Sequence, residues 1–314
     1  MNSPLILTHG DLDGMVCGIL LLRQRPEAAI KISNGEKLAQ HLSETLVKPS
    51  LPGAIFVTDI HCESRSRQAL LTALTELHQH SIPVHLYDHH FGWRGNTELQ
   101  GLLATCCVDE AKTTAAAIVR NELCRSDGGS GHWLGLLSKK DQSPDPQVRM
   151  HFGLLAALMQ PRNYRHTEAA LRALAAGVQL PPEYIELSRQ HYAVQEAQLR
   201  EVVGEAEVIP TGAGRRVAWL DRRAHRQPLH VPEQVMAAQE WDLVATVTHK
   251  GVILGGPGID RGLNLQPLHG EHDFSGVRLL VAGHRTPVKI TPVDAPAVTE
   301  EVLAAVRQFI AAKL

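Results

Sequence analysis

Aromatic residues are scarce, 4% of 314, which leaves too few rings for an extended base-stacking platform of the kind that coats single strands. A basic excess is also absent. The 31 Lys and Arg against 33 Asp and Glu give a formal net charge of -2, which argues against a non-specific coater of duplex DNA. A small nucleotide or a short single strand in a local basic pocket remains compatible. None of the five cysteines, Cys17, Cys62, Cys106, Cys107 and Cys124, forms a C-x-x-C pair, so a zinc ribbon is disfavoured and the odd, scattered set suggests reduced thiols. No apolar run reaches the length of a membrane span, and the first ten residues carry no basic stretch and no cleavable apolar run. The expectation is a cytoplasmic protein with no membrane partner. Repeats and low-complexity tracts are missing too.

What is present is an alternation of strand and helix signals. Residues 4–8 are an apolar run ending at a turn-like segment, and 15–25 are apolar at helical spacing. The pattern recurs with strands at 30–33, 54–58, 83–87 and 102–108, and helices at 36–48, 66–80 and 113–124. Such alternation implies a mostly parallel sheet covered on both faces, and ligands in such sheets bind beyond the carboxyl ends of the strands. Residues 146–203 read as mainly helical. Pro181-Pro182 opens a long polar helix suited to joining two domains. Strands at 216–220, 243–248 and 252–254, a helix near 232–239 and a last helix over 297–313 make a second α/β unit. The expected organisation is therefore α/β throughout: a parallel-sheet domain over 1–180, a helical linker over 181–204 and a smaller α/β domain over 205–314.

Three polar clusters each directly follow an apolar strand and should gather on one sheet edge. The first is His9-Gly10-Asp11-Leu12-Asp13-Gly14. Asp11 and Asp13, two apart in a loop, can face the same way and hold a cation with the imidazole. Either can equally cap the following helix. The second is Asp59, after Phe56-Val57-Thr58. The third is Asp88-His89-His90. Chance gives such a triplet about once in twenty chains of this composition, so its position carries the meaning. Asp141, beside Lys139-Lys140, is a fourth acidic candidate. His9, Asp11, Asp13, Asp59, His89 and Asp141 suffice for two divalent ions with a shared carboxylate. Mn²⁺ suits mixed His and carboxylate ligands best, with Mg²⁺, Co²⁺ or Zn²⁺ as alternatives. Two such ions lower the pKa of a held water and clamp an in-line phosphoryl displacement. A dinucleotide-binding Rossmann unit fails, because the first loop has His and Asp where a G-x-G-x-x-G turn is needed.

These motifs, in this order and over most of the chain, resemble the DHH phosphoesterase family, which includes RecJ-type exonucleases, oligoribonuclease/pAp phosphatases, cyclic-dinucleotide phosphodiesterases and manganese pyrophosphatases. Thr8 to Gly14 is similar to the first motif, Asp59 to the second, Asp88-His89-His90 to the third and Asp141 to the fourth. Thr113-Thr114 resembles the Ser/Thr pair found after them. The resemblance implies that His9, Asp11 and Asp59 bind one ion, and that Asp13, Asp59, His89 and Asp141 bind the other. It further implies that Asp88 orients His89 and that His90 meets the phosphate or the leaving group. The C-terminal part resembles the family's DHHA1 substrate-binding domain, with Arg261, His284 and Arg285 as contacts to a base or phosphate. There the sequence departs: only Gly283-His284 of a G-G-G-H element remains, and Thr286-Pro287-Val288 stands in place of Ala-Ala-Gly.

The leading expectation is a hydrolase using a metal-bound hydroxide on phosphodiester bonds of short single-stranded oligonucleotides or small nucleotides, as an exonuclease or phosphodiesterase. A pyrophosphatase or short-chain polyphosphatase is the second reading, with Arg215-Arg216 and Arg222-Arg223 as the basic cluster it requires. A non-catalytic module that binds nucleic acid or a partner is the third. Monomer and homodimer are both open.

Overall fold

The computed structural model describes residues 2–93, 95–109, 111–112, 114–139, 145–223, 233–256, 265–283, 288–295 and 298–314. The chain divides into two compact units, Met1–His191 and Tyr192–Leu314.

In the first unit, strands β1 (Leu5–His9), β2 (Ala29–Ser33), β3 (Ile55–Thr58), β4 (Val84–Asp88) and β5 (Thr105–Val108) form one sheet in the order β2-β1-β3-β4-β5. Every pair is parallel, as strand–helix alternation requires. On one face Leu5, Leu7, Ile55, Val57, Val84 and Leu86 meet helices α2 (Leu38–Leu46) and α3 (Arg67–Gln79). Each such side chain withdrawn from water contributes roughly 1.5–3 kcal/mol. Helix α1 (Leu12–Gln24) crosses the other face beside α5 (Ala115–Leu123) and α8 (Thr167–Ala176). Short α4 (Thr97–Gln100) precedes β5, and α6 (Ser130–Lys139) and α7 (Pro146–Leu158) lie between α5 and α8 in sequence. The turn from β1 into α1 is tight. A Cβ on Gly14 would collide with the His9 carbonyl oxygen, so only glycine lets the helix start this close to the strand end.

Helix α9 (Pro182–Glu205) begins at the predicted prolines and runs from the first unit into the second. The second unit holds a seven-stranded sheet of β6 (Glu207–Pro210), β7 (Arg216–Asp221), β8 (Leu243–Thr248), β9 (Gly251–Gly255), β10 (Gly270–Phe274), β11 (Val277–Gly283) and β12 (Val288–Pro292), in the order β10-β11-β12-β9-β8-β7-β6. Only β7 and β8 run parallel, with α10 (Glu233–Ala238) between them in sequence. The other pairs are antiparallel. Helix α11 (Glu300–Lys313) covers one face through Val302, Leu303, Val306, Phe309 and Ile310. The expected strands at 216–220, 243–248 and 252–254 are present, while β6, β10, β11 and β12 were not foreseen. Residues 281–283, assigned to a glycine-rich element, are the end of β11, with Gly283 in register with Val288. Among the described residues no helix is long and apolar enough to cross a membrane.

Candidate metal centre

The three strand-end clusters meet at the carboxyl edge of the parallel sheet. His9 ends β1, Asp59 follows β3, and Asp88 ends β4 with His89 and His90 behind it. The strands bring them together because β1, β3 and β4 are consecutive neighbours in register, Thr8 beside Thr58 and Thr58 beside Tyr87. The Thr58 hydroxyl donates to Thr8 Oγ1 at 2.9 Å, tying β1 to β3 directly beneath the cluster. One ligand atom from each of His9, Asp11 and Asp59 falls within 4.8 Å of the others, and the same holds for Asp59, Asp88, His89 and His90. Asp59 is common to both groups.

Asp11 serves two purposes. It is the N-cap of α1, its Oδ1 accepting the Gly14 N–H at 3.0 Å. Its Oδ2 stands 3.0 Å from His9 Nδ1, in a geometry that leaves that buried nitrogen without a hydrogen bond. Capping and ligand geometry thus coexist at one residue. Asp13 is held differently. Its two oxygens accept the N–H groups of Ala115 and Ala116, at 2.7 and 2.9 Å, at the start of α5, where orphan donors and the helix dipole favour a carboxylate. Its Oδ2 lies 3.7 Å from His89 Nε2. Thr114 caps the same helix by accepting the Ala117 N–H.

Asp59 is the most constrained member. It is 1% exposed, its Oδ2 has no hydrogen-bond partner, and its φ is 57°, in the left-handed region that costs a residue with a Cβ about 1 kcal/mol or more. Its Oδ1 is 3.4 Å from His89 Nε2 and 3.8 Å from His90 Nδ1. Asp88, fully buried, uses Oδ1 to accept the backbone N–H of His89 at 2.7 Å, that of His90 at 3.2 Å, and Nδ1–H of His90 at 2.6 Å. The imidazole it orients through this bond is that of His90, where the family resemblance assigns it His89.

The electrostatics follow from crowding. Burial, and then the charges of Asp11 and Asp13, push the Asp59 carboxyl well above the carboxylate range. Burial raises Asp13 to about 7, against the pull of its two N–H bonds. For Asp11, burial is outweighed by His9, and its pKa falls below the usual value. Burial works against charged His9 and His90, yet Asp11 holds His9 up and Asp88 holds His90 up. Among the described residues, the cationic partners of these four carboxylates are histidines only. Packed carboxylates with unpartnered oxygens, ringed by imidazoles, form a donor set that fits divalent cations of the Mn²⁺, Mg²⁺ or Zn²⁺ type. His61, unremarked in the sequence, also borders the cluster. Its ring centroid is 5.7 Å from that of His90, and its Nε2 is 3.2 Å from Glu63 Oε1.

Asp141, Thr113, Arg261, His284 and Arg285 lie outside the described residues. Of the arginines invoked for pyrophosphate, Arg216 pairs with Glu240, Arg223 pairs with Asp221 and Glu300, and Arg222 is buried.

No family model matches this chain, and no curated protein matches it in sequence. Solved structures do. A DHH domain described as belonging to a family of ribosomal proteins aligns with a TM-score of 0.64 at 12% identity, over 98% of this chain and 86% of its own. The pGpG-specific phosphodiesterase PggH from Vibrio cholerae aligns at 0.51 and 15% identity, over 98% of both chains. RecJ from Thermus thermophilus, solved with Mn²⁺, aligns at 0.54 and 13% identity, over 99% of this chain and 52% of RecJ, so this chain spans about half of that enzyme. With its all-parallel five-stranded sheet, its connecting helix and its second α/β unit, the chain has the DHH-family fold.

Proposed function

We propose that the chain is a metal-dependent phosphoesterase acting on phosphodiester bonds of short single-stranded oligonucleotides or small nucleotides. One observation carries the reading: Asp59, buried, strained and with a free oxygen, stands where two N/O donor groups share it. A bound cation would engage that free oxygen and offset the crowding of the carboxylates around it. His9, Asp11 and Asp59 would hold one ion, and Asp13, Asp59, His89 and Asp141 a second, with Mn²⁺ the first choice and Mg²⁺ or Co²⁺ the alternatives. When bound, such ions supply an activated water and neutralise charge on the transferring phosphoryl group. The protein's own contribution is placement. Asp88 orients His90 through Nδ1, and His90 would meet a phosphate oxygen or give a proton to the leaving oxygen. The likeness in fold to a pGpG-specific phosphodiesterase and to a Mn²⁺-bound RecJ supports a nucleotide-type phosphodiester substrate.

The test is hydrolysis of a 5′-labelled short RNA by the Mn²⁺-loaded protein, with Asp59→Asn and His89→Ala as controls. Stepwise loss of mononucleotides, abolished in both variants, is expected. Phosphate release from pyrophosphate without RNA cleavage would replace this reading with a pyrophosphatase. Neither activity, with no metal bound, would leave a non-catalytic module that binds nucleic acid or a partner.

A further inference from the structure

The chain has few aromatic rings, and it buries most of them. Phe56, Tyr87, Trp93, Trp133, Phe152, Tyr184, Trp219, Trp241 and Phe309 are all in cores. Tyr164 stands apart from these nine: its side chain is exposed, 46% accessible. It sits in the 3₁₀ segment Pro161–His166 that leads into α8. The neighbouring side chains explain why the ring is outside. Asn163 is buried and donates to the Ala157 carbonyl at 2.7 Å, and Thr167 is buried at the start of α8. These two anchors fix the backbone so that the residue after Asn163 projects outward. Arg165, next in sequence, is exposed as well.

The direction in which Tyr164 reaches matters. Its hydroxyl lies 3.8 Å from where a Cβ on Gly10 would stand. Gly10 separates His9 from Asp11, so the phenol reaches the backbone of the loop that carries the first metal-binding group. A flat, solvent-facing ring whose hydroxyl reaches the loop of the proposed phosphoester site offers a π-face on which a nucleobase can stack. A lone ring is too small for a protein interface, which needs a far larger contiguous surface.

The geometry points to Tyr164 as a substrate-positioning residue that stacks the nucleobase adjoining the scissile phosphodiester, so that the site takes nucleobase-bearing substrates over pyrophosphate or short polyphosphate. This inference rests on the phosphoesterase reading and narrows its substrate class. It assigns Tyr164 no part in bond breaking. The expected signature is a change in binding and KM, with kcat nearly constant.

The test compares wild type, Tyr164→Ala and Tyr164→Phe, all as the full chain. Binding of diadenylate, and of the same dinucleotide lacking its bases, is measured by calorimetry in Ca²⁺. Hydrolysis of both is followed in Mn²⁺. Wild type should bind diadenylate about tenfold more tightly than the abasic analogue. Tyr164→Ala should lose that margin and raise KM for diadenylate by a similar factor, leaving its handling of the abasic analogue unchanged. Tyr164→Phe keeps the ring and should keep the preference. Equal binding of the two ligands by wild type, an unchanged preference in Tyr164→Ala, or an equal loss for both ligands would overturn the assignment. If wild type shows the base preference but hydrolyses neither ligand, the phosphoesterase reading falls and the stacking role stands. Hydrolysis with an unaltered Tyr164→Ala KM removes the stacking role alone.

Discussion

The two units handle charge in opposite ways. In the second, four described arginines are matched by carboxylates near the surface: Arg216 with Glu240, Arg223 with Asp221 and Glu300, Arg278 with Glu271 and Asp294, Arg307 with Glu207. Arg222, buried and 4.0 Å from Glu201, stands apart from them. In the first, Asp11, Asp13, Asp59 and Asp88 converge on one strand edge with imidazoles as their only cationic partners among the described residues. Those four surface arginines are satisfied by their own carboxylates. In the first unit, an added cation would offset the burial and mutual repulsion of the carboxylates, which the surrounding imidazoles relieve only in part. Which unit carries the chemistry follows from where the charge is left unbalanced.

The sharpest way to test this contrast is to remove Asp59 or the metal. Asp59→Asn keeps the volume and tolerates the left-handed backbone but withdraws the shared ligand. Activity on a short RNA should fall at least about a thousandfold, the equivalent of roughly 4 kcal/mol, and chelation of the wild type should do the same. In metal-free protein at alkaline pH the same substitution should raise the melting temperature, because it removes a carboxyl whose charged form burial and its acidic neighbours disfavour. A variant that is both destabilised without metal and active with it would show that Asp59 is a structural residue. Next in size is a change beneath the site. Leu86→Ala in β4, fully buried against α3, should cost about 2–5 kcal/mol by chemical denaturation. The surviving folded fraction should keep its metal affinity. Loss of affinity in that fraction would show that the strand ends do not hold the cluster independently of the core.

How much of this was legible beforehand differs between the units for a physical reason. The first sheet is parallel, so each strand needs a crossover helix, and strand and helix signals alternate in plain view. The polar residues after 8, 58 and 87 could then be placed on one edge without coordinates. Two details of the site were not legible. The left-handed φ of Asp59 carries no mark, since the residue is not glycine. Asp88 meets Nδ1 of His90 because a short acidic side chain at a strand end folds onto its own following loop, a choice made by local backbone geometry and not by residue type. In the second unit the antiparallel strands are thin in signal. Edge strand β10, Gly-Glu-His-Asp-Phe, is mostly exposed and buries none of its residues fully. Val277, Leu279 and Val281 alternate inward, but Leu280 between the last two and Ala282 after them make 279–282 read as unbroken apolar sequence ending in glycine.

A smaller effect should come from pH in metal-free protein. Asp13 and Asp59 titrate above their ordinary range, and His9 and His90 above theirs. A group whose folded pKa is raised stabilises the fold below its unfolded pKa and loses that contribution as pH rises through the folded value. All four act in the same direction between pH 5.5 and 8, and Asp11, whose pKa is lowered, gives up its contribution only in acid, near and below the ordinary carboxylate range. In EDTA the melting temperature should therefore fall from pH 5.5 to pH 8. Saturating Mn²⁺ should oppose the fall, since the metal binds the deprotonated ligands. A metal-free protein that gains stability across that window would mean that the cluster is not the crowded group described.

The smallest expected effect lies in the second unit, and it bears on the contrast from the other side. Arg307 lies over the face of Trp219 at 4.6 Å and pairs with Glu207 at 2.7 Å, while remaining over a third exposed. Water and salt reach such a pair, so Arg307→Ala should cost about 1 kcal/mol or less, and the difference from wild type should shrink in concentrated NaCl. Hydrolysis of a short RNA should stay within twofold. A loss of 3 kcal/mol or more, insensitive to salt, would place this pair among the buried charges, and balanced charge would then no longer distinguish the second unit from the first.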